Sequence, residues 1–110
     1  MLATANRLTK KTDFEIVRQN GKFVTSKDFT ISFLNKKNED EPRFGFIVSK
    51  KISTRAVDRN KIKRILREIV RKNLDSMKHG MDFVIIVKPG ILHAPHGKLE
   101  KEIKDVIKNI

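Results

Sequence analysis

The sequence predicts an α+β sandwich, with helices and a sheet packed as layers in the order helix, strands, helix, strand, helix. Three stretches predict it. Residues 28–35, DFTISFLN, alternate as a half-buried strand does, with Phe29, Ile31 and Phe33 on one side and Thr30, Ser32 and Leu34 on the other. Residues 83–87 form a continuous apolar run, the pattern of a strand covered on both faces in the middle of a sheet. Between them, from about Asp58 on, Ile62, Ile65, Leu66, Ile69, Val70, Leu74 and Met77 recur at helical spacing and define one buried stripe. A chain of 110 residues is one domain, residues 1–110, with a single modest core.

Taken in order, Thr12 and Glu15 form an S/T-x-x-E capping box that opens a short helix over about 12–19. Gly21 is placed to close that helix in a left-handed conformation. A short strand over 23–25 precedes the strand at 28–35. The polar turn Asn38-Glu39-Asp40-Glu41-Pro42 leads to a strand at 43–49, where Gly45 permits close backbone approach. A hairpin between these two strands is the economical pairing. A loop carrying Lys50, Lys51 and Arg55 enters the long helix, and Gly80 marks that helix's end. Pro89-Gly90 breaks the strand at 83–87, and Leu99, Ile103, Val106, Ile107 and Ile110 give the final helix its apolar stripe.

The net charge of +12 is unevenly placed. Residues 43–72 hold 11 Lys/Arg against 2 Asp/Glu, whereas the segments before and after carry net charges of only +2 and +1. This is a patch, and such patches attract phosphate backbones. On the long helix, Asn60, Arg64, Arg67 and Arg71 collect opposite the apolar stripe, flanked by Lys63 on one side and by Lys61 and Lys72 on the other. A merely solvated face mixes signs, because like charges one turn apart repel. Arg59 and Lys61 also stand near the helix start, where the macrodipole favours anions. A bound polyanion reverses both penalties.

Catalytic groups are not apparent. The absence of cysteine excludes thiol chemistry and Cys-based zinc sites. His93 and His96, the only close histidine pair, have no carboxylate cluster beside them and read as loop residues, not a metal site. No Gly-rich phosphate cradle occurs. The N-terminal stretch lacks a signal peptide's apolar core, and no apolar run could span a membrane, so the protein is expected in the cytoplasm. Among seven Phe, with no Trp or Tyr, Phe14 is the main candidate ring for contact with unpaired bases.

The run Arg59-Asn60-x-x-Lys63-Arg64-x-x-Arg67-Glu68, preceded by Ser49-Lys50-Lys51 and Ala56-Val57, resembles the signature of the bacterial ribonuclease P protein subunit. Arg7-Leu8 followed by Asp13-Phe14 resembles that family's N-terminal pattern, so the resemblance covers nearly the whole chain. It implies an αβββαβα sandwich with a mainly antiparallel sheet and a left-handed βαβ crossover, where physics alone favours a right-handed one. It implies a non-catalytic subunit of an endoribonuclease: the partner RNA, with Mg²⁺ bound by RNA and substrate and not by a protein site, cuts the 5′ leader from precursor tRNA.

By the same resemblance, Lys50, Lys51, Arg55, Arg59, Asn60, Lys61, Lys63, Arg64, Arg67 and Arg71 meet the catalytic RNA and the substrate. Phe14, Arg18, Thr30 and Ser32 belong to a leader-binding cleft between the first helix and the sheet. Arg18 and Ser32 stand where relatives often carry rings, so phosphate pairing is expected to weigh more than stacking here. Neither a membrane nor a small-molecule substrate is implied. The alternative is a general RNA- or DNA-binding module without a catalytic RNA partner, and a third reading makes the protein itself a nuclease.

Overall fold

The computed structural model describes residues 3–110, except the side chains of His93 and His96. Among the described residues the α-helices are α1 (Lys11–Asn20), α2 (Ala56–Lys72) and α3 (His96–Lys108). The strands are β1 (Lys22–Thr25), β2 (Phe29–Asn35), β3 (Arg43–Ile47) and β4 (Met81–Val87), and short 3₁₀ turns cover Thr4–Asn6, Leu74–Ser76 and Pro89–His93. The predicted α+β order is therefore present.

The four strands form one sheet in the order β1-β2-β4-β3. β2 lies antiparallel to both β1 and β4, and β3 lies parallel to β4. The apolar run of β4 is where its composition puts it, in the interior and buried at all but one position. The expected hairpin between β2 and β3 does not form, because β4 lies between them. A strand apolar on both faces needs neighbours on both edges as well as layers above and below, and that demand outweighs the short connection. The outer edge of β3 is covered by the N-terminal segment, where the Leu8 amide donates to the Phe44 carbonyl at 2.8 Å.

One face of the sheet packs against α2 and α3. Phe29, Ile31, Phe44, Phe83 and Ile85 meet Ile62, Leu66, Ile69 and Val70 of α2 and Leu99 and Ile103 of α3. The Phe44 and Phe83 rings stack with centroids 4.5 Å apart, an aromatic geometry that adds to simple burial. The opposite face packs against α1 through Leu8, Val17 and Val84, with Phe14, Leu34, Ile47 and Ile86 partly buried around them.

Helix boundaries depart from expectation in instructive ways. α1 begins at Lys11, and its N-cap Lys10 makes no side-chain capping bond, so Thr12 and Glu15 lie inside the first turns and form no capping box. Gly21 is extended, not left-handed. Its need for glycine is steric, because a Cβ there would collide with the Phe33 carbonyl of β2. α2 starts at Ala56 and stops at Lys72, well before Gly80. Asn73 ends it by donating its side-chain amide to the Ile69 carbonyl at 2.7 Å. Leu74 and Met77 continue the apolar pattern from outside the helix, and Met77 is still buried. Gly80 instead turns the chain into β4 with φ of +81°, a conformation glycine adopts without steric cost.

Candidate nucleic-acid interface

The parallel pairing of β3 and β4 brings their C-terminal ends to one end of the sheet. Lys50 and Lys51 follow β3 there, and α2 begins there. The loop into α2 is held by its own side chains. The Ser53 hydroxyl donates to Asp58 Oδ2 at 2.9 Å and accepts the Arg55 amide at 3.2 Å. Arg59 Nη1 donates to the Ser53 carbonyl at 2.9 Å. Asp58 in the first turn complements the helix dipole. Arg59 thus braces the loop, and Arg55 lies 3.9 Å from Asp58.

Along α2, Asn60, Arg64 and Arg71 are exposed and Arg67 is half-buried, all on the side away from the core. Arg71 is engaged: its Nε donates to Glu68 at 3.0 Å. That hydrogen bond lowers the Glu68 carboxyl below the ordinary carboxylate range and raises the Arg71 guanidinium. Lys50, Lys51, Lys61, Lys63, Arg64 and Arg67 have no ion-pair or hydrogen-bond partner among the described residues. Arg43, counted with the basic patch in the sequence, is internal. Its Nε and Nη2 donate to the two oxygens of Asp82 at 2.9 and 2.7 Å. Its Nη1 lies 3.6 Å from Asp13 of α1, and Lys36 lies 3.3 Å from Asp82.

On the α1 face of the sheet, Phe14 is half-buried, with its ring laid directly over Gly45. Arg18 follows one turn later and is exposed. Beside this wall run Thr30, Ile86 and Ile47, all half-buried and in register across β2, β4 and β3. These positions leave a half-exposed strip of sheet beside α1, where the cleft was expected, toward the sheet end that carries Lys50 and Lys51. Ser32, assigned to this cleft from the sequence, is only 8% exposed and has little surface to offer a ligand. Gly45→Ala would drive a Cβ into the Phe14 ring. It is expected to cost about 1–3 kcal/mol of stability, read by denaturant unfolding, with loss of the cleft wall.

Two side chains on this face were not singled out in the sequence. Lys88 follows β4, and its Nζ donates to Thr25 Oγ1 at 2.9 Å and to the Ser26 carbonyl at 2.7 Å. Thr25 and Thr30 in turn share a hydroxyl hydrogen bond of 2.8 Å. Strand alternation after inward-facing Val87 was the available signal for Lys88. The second is Phe23, which is 70% exposed. A strand of four residues carries too little alternation to assign its face. Among the described residues no group of three or more His, Asp or Glu could hold a metal ion. The expectation for His93 and His96 falls on side chains outside the described residues. No described helix is long and apolar enough to cross a membrane.

The family model described as Ribonuclease P matches residues 2–110. The chain belongs to the ribonuclease P protein family. It is 35% identical to the ribonuclease P protein component of a Cyanothece species over 124 residues, covering 97% of this chain and 93% of that one. It is also 35% identical to the protein component from Bacillus cereus strain AH187, covering 94% and 89%. Among solved structures, the RNase P protein from Thermotoga maritima in complex with 1-(4-fluorophenyl)-2-thiourea superposes with a TM-score of 0.84 at 27% identity, covering 94% of this chain and 99% of that one. A Staphylococcus aureus RNase P protein mutant with defective mRNA degradation activity gives 0.85 at 30% identity, covering 94% and 86%. The ribonuclease P protein is the protein subunit of a ribonucleoprotein endoribonuclease that matures the 5′ end of tRNA, and its family membership implies the ribonuclease P RNA as partner.

Proposed function

We propose that this subunit binds the catalytic RNA through the loop at 50–55 and the outer side of α2, and the 5′ leader of precursor tRNA in the cleft beside α1. The observation that carries this reading is the row of cations without internal partners, Lys61, Lys63, Arg64 and Arg67, on a helix that starts at the sheet end where the cleft opens. Cations left unpaired on one side are stabilised by phosphates, and each contact releases counterions. Phe14 offers the exposed part of its ring to a base, and Arg18 and Lys88 supply charge for the leader's phosphates.

The protein's own residues bind and orient RNA in the cytoplasm. Mg²⁺ is held by the RNA and the substrate, where it supplies the activated nucleophile and charge neutralisation for phosphodiester hydrolysis. The test is reconstitution. Protein plus ribonuclease P RNA is expected to cleave precursor tRNA at low Mg²⁺, where the RNA alone is slow. Unchanged cleavage on adding protein would leave a general nucleic-acid-binding module. Cleavage by highly purified protein without RNA would move the chemistry into the chain.

A further inference from the structure

Phe23 departs from the other six phenylalanines, which are buried or half-buried, whereas it is 70% exposed. The register of β1 on β2 sets it directly across from Ser32, with Thr25 across from Thr30. It therefore projects on the cleft face. The same row continues from Ser32 to Val84 on β4 and to Gly45 on β3, under the Phe14 ring. That row is itself covered, since Ser32, Val84 and Gly45 are buried, and the accessible path between the two rings is the neighbouring row Thr25, Thr30, Ile86 and Ile47, three strand spacings or about 14 Å long.

The surroundings of Phe23 are polar and cationic. Its neighbours Lys22 and Val24 both turn to the other face, so on its own face Phe23 stands beside Thr25. Two residues along β1, Thr25 is bonded to Lys88 and Thr30. Lys88 Nζ uses two of its three donors on Thr25 and Ser26, leaving one for a ligand. A protein-docking surface presents a contiguous apolar patch. A lone ring beside a cation and hydroxyls is instead the composition of a single-strand RNA surface, with the base on the ring and the phosphate on the cation.

We infer that Phe23 and Lys88 form a separate nucleotide subsite at the β1 edge, extending the leader track across the full width of the sheet. This rests on the reading that the leader occupies the cleft. The test uses protein reconstituted with ribonuclease P RNA, and compares precursor tRNA with the same tRNA lacking its leader. Phe23→Ala is expected to weaken precursor binding about five-fold or more and leave leaderless tRNA unchanged, while Phe23→Tyr keeps wild-type affinity. Shortening the leader stepwise should remove the effects of Phe23→Ala and Phe14→Ala at different lengths.

A leader-dependent loss for Phe14→Ala with none for Phe23→Ala would overturn the subsite and leave the cleft reading intact. No leader-dependent loss for either would overturn the cleft reading itself. Equal weakening of both ligands by Phe23→Ala would make the ring structural. Self-association that Phe23→Ala abolishes, with precursor affinity unchanged, would assign the ring to a second copy of the chain.

Discussion

Replacing both Arg64 and Arg67 with alanine is expected to lower affinity for ribonuclease P RNA about a hundredfold. Each charge-assisted contact is worth about 1.5–3 kcal/mol, and 1.4 kcal/mol is about tenfold. The slope of log affinity against log salt should fall by about two, one for each phosphate that is no longer neutralised. Neither side chain has a partner within the described residues, so circular dichroism and the thermal midpoint should hold. Arg71→Ala is the internal comparison. Its guanidinium is already shared with Glu68, and its removal should cost less. A salt titration showing the double variant with wild-type affinity and slope would remove α2 from the interface.

Asp82→Ala is expected to destabilise the fold by about 2–3 kcal/mol, measured by denaturant unfolding. Removing one member of a buried ion pair costs about 3–5 kcal/mol. Here the stranded cations are only partly enclosed, with the Arg43 and Lys36 side chains 29% and 22% exposed, so they regain some water. The consequence reaches the cleft, because Arg43 joins β4 to Asp13 of α1. Leader-dependent binding should weaken in the same variant. A stability loss below about 0.5 kcal/mol, the range of ordinary surface substitutions, would show that the aromatic core alone fixes α1.

The sequence displayed the elements and the cationic outer side of α2 because both are local. The apolar run of β4 and the helical spacing of Ile62, Leu66, Ile69 and Val70 need only neighbouring residues to be read. What could not be read depends on distant partners. The β2–β4–β3 order follows from the burial demand of a strand nearly fifty residues beyond β2. Arg43 is indistinguishable from the arginines on the outer side of α2 until Asp82, 39 residues away, is seen to hold it. Gly45 was legible as a site of close approach, but the approaching group proved to be the Phe14 ring. Ser32 alternates like a solvent-facing residue and is nevertheless covered. Helix ends misled for a simpler reason: Leu74 and Met77 keep the helical period after the backbone has left the helix.

The insertion of β4 between β2 and β3 also governs how the chain matures during synthesis. During synthesis β2 can pair with β1, and β3 with the segment around Leu8, but the facing edges of β2 and β3 are expected to stay open until β4 has left the ribosome. Nascent chains of this protein should therefore be dependent on chaperones up to that point, and acquisition of protease resistance should come late and all at once, consistent with the slow closure of long-range pairings.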